Sequence, residues 1–103
     1  MKLITKEIEQ KLLANPCGSH DGEGLDAKVI VKFFGGCCCT WLVTEADKEG
    51  DDWYMFGYVN IGYGWEWGYF MFSEISSIAF PPFGLPLERD MYSEGTVREL
   101  ARG

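Results

Sequence analysis

At 103 residues, 47% hydrophobic and 24% charged, the chain is expected to form a single domain over residues 1–103 with apolar material for one core. Its net charge of −7 is uneven: residues 1–44 balance five Lys against five acids, and beyond them four basic residues face eleven acidic ones. Such a surface repels phosphate backbones, so no direct nucleic-acid binding is expected, and it attracts instead a protein partner with a basic surface.

Leu3, Ile4, Ile8, Leu12 and Leu13 recur at helical spacing, with Thr5 placed to cap and Glu7 and Glu9 in the first turns, where the helix dipole favours anions. The spacing predicts a helix from Lys6 to Ala14, ended by Asn15-Pro16 because the residue before proline avoids helical geometry. Lys2, Lys6, Glu7, Glu9 and Lys11 interrupt what would be the apolar core of a secretion signal, and no segment approaches the roughly 18 apolar residues of a membrane span. A cytoplasmic protein without membrane contact is therefore expected, with its four Cys as thiols.

The segment Cys17 to Gly24 reads as a polar loop. Next, Ala27, Val29, Val31 and Phe33 alternate with Lys28, Ile30, Lys32 and Phe34, the pattern of a half-buried strand from Ala27 to Phe34. Gly35-Gly36 makes a turn, and Cys39 to Thr44 returns as the second strand of a hairpin. Glu45 to Asp52 carries Glu45, Asp47, Glu49, Asp51 and Asp52, which reads as a solvated acidic loop. Trp53 to Val59 and Trp67 to Phe72 are the third and fourth strands, joined through Asn60, Gly62 and Gly64.

Ser73 is placed to cap a helical turn containing Ile75 and Ile78, and the proline-rich Phe80 to Pro86 is an extended apolar connection across the sheet. Thr96 and Glu99 have capping-box spacing ahead of Val97 and Leu100. The sum is an α+β fold: a four-stranded, mainly antiparallel sheet with an N-terminal helix and a short C-terminal helix, the helices at one face or the ends.

Taken in order, Leu3-Ile4-Thr5-Lys6-Glu7-Ile8, Val31-Lys32-Phe33-Phe34, Thr40-Trp41 with Thr44-Glu45, Phe56-Gly57-Tyr58-Val59, Gly68-Tyr69-Phe70 and Leu85-Pro86-Leu87-Glu88-Arg89-Asp90 resemble the small bacterial family known as domain of unknown function 2958. The likeness covers nearly the whole chain. What it implies is a setting, not a reaction: proteins of plasmids, phages and integrative elements, encoded near antirestriction and mobilisation genes, hence an antidefence candidate.

The aromatic stretch from Trp53 to Phe72 carries the main functional signal. Trp53, Met55 and Val59 alternate with Tyr54, Phe56 and Tyr58, and Trp65, Trp67, Tyr69 and Met71 alternate with Glu66, Phe70 and Phe72, so both faces are apolar. Two short helices cover one face of such a sheet, which leaves some of Tyr54, Tyr58, Tyr63, Trp65 and Trp67 as exposed binding anchors. With the acidic segment as electrostatic guide, these point to a non-enzymatic protein-binding accessory protein, its sharpest version an inhibitor of a host nuclease or restriction system.

Three other readings compete. A small-ligand module would stack a sugar on Trp65 and Trp67, with Glu66 accepting its hydrogen bonds. An enzyme would use Glu88 and Asp90, or a Cys with His20, though Glu88, Arg89 and Asp90 read first as a structural ion-pair cluster pinning the C-terminal segment. A homodimer would form through an aromatic edge strand. His20, Cys17 and the consecutive Cys37, Cys38 and Cys39 lack the spacing that lets ligands converge, so no metal, cofactor or catalytic residue is assigned.

Overall fold

Helix α1, Lys6–Leu13, starts where Thr5 Oγ1 accepts the N–H of Ile8 at 3.3 Å, and it closes where Asn15 Nδ2 donates to the Lys11 carbonyl at 2.7 Å. Its inward stripe is Ile8 and Leu12, with Leu3 and Ile4 packed beside them; Leu13 instead points outward and is exposed. The computed structural model describes residues 3–20, 22–36, 38–81, 83–90 and 94–101, so Asp21, Cys37 and Pro82, which fall in the expected loop, turn and connection, lie outside the described residues.

Strands β1 (Val31–Gly35), β2 (Cys39–Glu49), β3 (Asp52–Ile61) and β4 (Trp65–Met71) form successive antiparallel hairpins. A fifth strand, β5 (Glu88–Arg89), pairs antiparallel with β1, setting Phe33 opposite Arg89 and giving the order β4-β3-β2-β1-β5. The α+β class with an antiparallel sheet and an N-terminal helix is as expected, but the sheet has five strands among the described residues, not four. Two residues after a proline are too few to display a period of two, which is why β5 left no trace in the pattern.

One face of the sheet is covered over most of β1, β2 and β3. Val31, Phe33, Trp41, Val43, Ala46, Trp53 and Met55 meet Ile8 and Leu12 of α1, Ile75 of helix α2 (Phe72–Ser76), and Phe80 and Leu87 of the proline-rich connection. Phe80 lies over Gly35, where any Cβ would fall within 2.2 Å of its ring. The helices are not segregated to this face, because the C-terminal helix α3 (Val97–Leu100) lies on the other one. There Val97 packs with Ala27, Val29 and Leu42, with Leu100, Tyr58 and Trp65 around them. Thr96 and Glu99 make the expected capping box.

Several boundaries move for physical reasons. The first strand begins at Val31 because Gly24–Asp26 is a single 3₁₀ turn and residues 27–29 pair with the C-terminal stretch, Val29 N–H to Gly95 and Val97 N–H to Ala27. Ser73 does not cap α2. It lies inside that helix, its N–H taken by Asp52, while Glu74 accepts the Met71 N–H at 2.9 Å.

The largest correction concerns the acidic segment. Glu45 to Glu49 continue β2, and only Gly50 and Asp51 turn the chain, with Gly50 at φ +61 in the first central position of a tight two-residue hairpin. The continuation hides an irregularity: the register slips between Val43 and Glu45, leaving Thr44 as the extra residue of a β-bulge. Without it Glu45 would face Met55 in the core; with it Glu45 lies opposite Phe56 on the other face and Ala46 takes the core position. Gly57 makes the bulge feasible, since a Cβ there would sit 2.0 Å from the Leu42 carbonyl oxygen.

Candidate functional site

The second face carries a continuous ladder of rings. Along it Tyr54, Tyr69, Phe56, Trp67, Tyr58 and Trp65 follow one another at centroid distances of 5.1, 4.6, 5.5, 4.8 and 5.2 Å. Register explains the geometry. Phe56 is directly opposite Tyr69 and Tyr58 opposite Trp67, and those pairs are tilted; the diagonal pairs Tyr54–Tyr69, Phe56–Trp67 and Tyr58–Trp65 are stacked within 16° of parallel.

The two ends of the ladder differ. Tyr58 and Trp65 are half-buried against the α3 cluster, whereas Trp67 is 38% and Tyr69 58% exposed. Tyr54 is half-buried, and Tyr63 projects from the β3–β4 turn at 94% exposure, away from the ladder. Of the five expected aromatic anchors the fold therefore brings together Tyr54, Tyr58, Trp65 and Trp67. It adds Phe56 and Tyr69, whose placement depends on cross-strand register that no single-strand pattern discloses. Glu66 cannot serve a ligand on Trp65 and Trp67, because alternate residues of β4 face opposite sides of the sheet.

The acids divide into two groups. Glu45 is buried at 3% exposure, and its carboxylate accepts the His20 N–H at 3.3 Å; Asp47 accepts the Cys17 N–H at 3.1 Å. Asp52 accepts the N–H groups of Trp53 and Ser73, and its hydrogen bonding to Ser73, then to Trp53, holds its carboxyl below the usual range. These three acids organise the chain. Of the five acids expected in the acidic loop, Glu49 and Asp51 alone are exposed for steering, at the hairpin turn beyond the Tyr54–Tyr69 end of the ladder.

The loop after α1 is thereby held across β2. Between it and the ladder lies an open cavity of about 270 Å³ lined by His20, Gly22, Gly24, Ala27, Thr44, Glu45, Phe56 and Trp67. His20 has Nδ1 2.6 Å from Glu23 and Nε2 2.6 Å from Asn15 Oδ1, so both ring nitrogens already face oxygen acceptors. Cys17 donates its thiol to the Tyr54 carbonyl at 3.7 Å, and burial, with Asp47 alongside, pushes that thiol up to about 11. Neither group is arranged to activate the other as a nucleophilic dyad.

At the opposite edge Glu88 is exposed, Arg89 is half-buried, and Asp90 lies 3.7 Å from Lys32 while its N–H donates to the Lys32 carbonyl. The segment is thus fixed by backbone pairing with β1 and by Lys32. Cys38 is exposed in the β1–β2 turn and Cys39 lies in β2 opposite Gly35 and Ile61, while Cys37 is outside the described residues. Among the described residues no three His, Cys, Asp or Glu converge on a metal-sized site, and no helix is long and apolar enough to cross a membrane.

A family model described as "Protein of unknown function (DUF2958)" matches residues 3–101. No curated protein and no solved structure matches the chain.

Proposed function

The chain belongs to the DUF2958 family, whose description names no activity, and from its own geometry we propose that it is a non-enzymatic binding module offering the β3–β4 ring ladder to a protein with a basic surface. The observation that carries this reading is the unbroken stack of six rings, open at Trp67 and Tyr69 and leading to the acidic turn at Glu49 and Asp51. Rings held in a stack lose little freedom on binding and present π-faces and edges to Arg or Lys side chains, while exposed acids raise the rate of encounter. A cytoplasmic accessory role in a plasmid, phage or integrative element, directed at a host nuclease or restriction system, belongs to the same proposal and rests on the family resemblance; the neighbouring genes test it.

The binding test compares wild type with Trp67→Ala plus Tyr69→Ala and with Glu49→Lys plus Asp51→Lys in capture from host lysate, followed by kinetics on the recovered protein. The ring variant is expected to weaken binding by at least about tenfold, as loss of hot-spot aromatics does. The charge variant is expected to slow association and flatten its salt dependence. Recovery of the same proteins with equal affinity by all three chains would refute the reading.

A second reading, a small-ligand site, is supported by the cavity beside Phe56 and Trp67 with Glu45 in its wall. A ligand seated there is expected to change tryptophan fluorescence in wild type but not in Trp67→Phe.

A further inference from the structure

We propose that two copies of this chain pair antiparallel through β4, with Gly68 on the two-fold axis, joining their sheets and their ring ladders. The proposal concerns a second copy alone and does not depend on a basic partner.

Among the described residues β4 has a strand neighbour on one side only, and its sequence WEWGYFM carries no proline, no lysine and no bulge in its register, leaving the single charge of Glu66 as its one edge protection. The strand is also self-complementary. It spans seven residues centred on Gly68, so full-length pairing puts Gly68 opposite the partner's Gly68, Trp67 opposite the partner's Tyr69, Glu66 opposite the partner's Phe70, and Trp65 opposite the partner's Met71. The Trp67–Tyr69 pairs on one face repeat the aromatic contacts within each ladder and cover the two most exposed ladder rings.

The strand's one charge is placed compatibly. In this register the two Glu66 carboxylates are offset by four residues, about 14 Å along the strands, beyond the screening length of about 8 Å at physiological salt. An axis at Glu66 would bring them face to face, so charge disfavours that register, and pairing over the full seven residues sets the axis at Gly68.

Gly68 supplies an independent observation. Glycine weakens a strand interior unless a close approach demands it, yet a Cβ at Gly68 would meet nothing within 4 Å and its φ lies outside the left-handed region. Its partner in the β3–β4 ladder, Gly57, is required by the bulge; Gly68 has no such reason inside one copy. With no side chain at its centre the edge offers a second strand nothing to displace, a freedom that the pairing uses without requiring it.

The same openness provides the test, because Gly68→Glu and Gly68→Lys fit the single copy while placing like charges directly opposite on the axis. Sedimentation velocity and light scattering across a wide concentration range, at low and high salt, are expected to show a wild-type dimer that strengthens with salt as the acidic copies are screened. At a concentration where wild type is half dimer, each variant alone is expected to run as a monomer with wild-type circular dichroism. An equimolar mixture of the two is expected to restore the dimer. Wild type remaining monomeric throughout, either variant dimerising like wild type, or folded variants failing to recover on mixing would each overturn the proposal. Unchanged partner capture by Trp67→Ala plus Tyr69→Ala, with self-association of the wild type intact, would count against the binding reading alone.

Discussion

Two glycines on facing strands make the clearest contrast at the level of single residues. Gly57 and Gly68 are direct partners, but a Cβ on the first collides with the Leu42 carbonyl and a Cβ on the second meets open space. Gly57→Ala is therefore expected to destabilise by about 1–3 kcal/mol or more, as overpacking does, and Gly68→Ala to stabilise by about 0.5 kcal/mol by restricting the unfolded chain. Urea unfolding of the two variants checks both signs. Neither value was legible in the sequence, where both residues appear as glycines in apolar strands. What could be read was the alternation of Tyr54, Phe56 and Tyr58 with Met55, because that depends on the chain's own pleat and on no neighbour.

Among the elements, the loop from Cys17 to Gly24 and the acidic segment explain each other. A sequence rich in Asp and Glu with a glycine looks solvated, and the expectation failed because Glu45 and Asp47 spend their carboxylates on the backbone of that loop. The bulge at Thr44 breaks the period of two at the point where the strand turns polar, so the continuation of β2 was hidden. Asp47→Ala is expected to free the loop: amide hydrogen exchange at Cys17 and His20 should accelerate several-fold while β1 and β3 stay protected, and an unchanged loop would show that its own turns suffice. α1, the central hairpins and the capping box of α3 were legible because caps and turns are local signals. β5 and the wrap of α3 onto the second face were not, since both depend on contacts distant in sequence.

For the molecule as a whole, the sheet is covered on one side over β1 to β3 and half-dressed on the other, and its titrating groups bound the pH range of stability. Burial raises Cys17 from an ordinary 9.0 to about 11, so between these values the unfolded chain releases a proton that the folded chain keeps. That contribution is whole below pH 9 and is lost as pH rises toward about 11. Asp52 acts in the opposite sense: its lowered carboxyl contributes above its unfolded value of 3.8 and is lost as pH falls through the folded one. Unfolding midpoints measured from acid to alkali are expected to fall at both ends, and Cys17→Ala is expected to flatten the alkaline side only.

The ladder has one more consequence, an optical one. Tyrosine and tryptophan rings stacked about 5 Å apart on a twisted sheet form a chiral array of coupled chromophores. Their transitions mix, and the near-ultraviolet circular dichroism of this chain should carry paired bands of opposite sign that no single ring produces. Any molecule that tilts Trp67 or Tyr69 changes that coupling, so the protein carries its own label for whatever settles there.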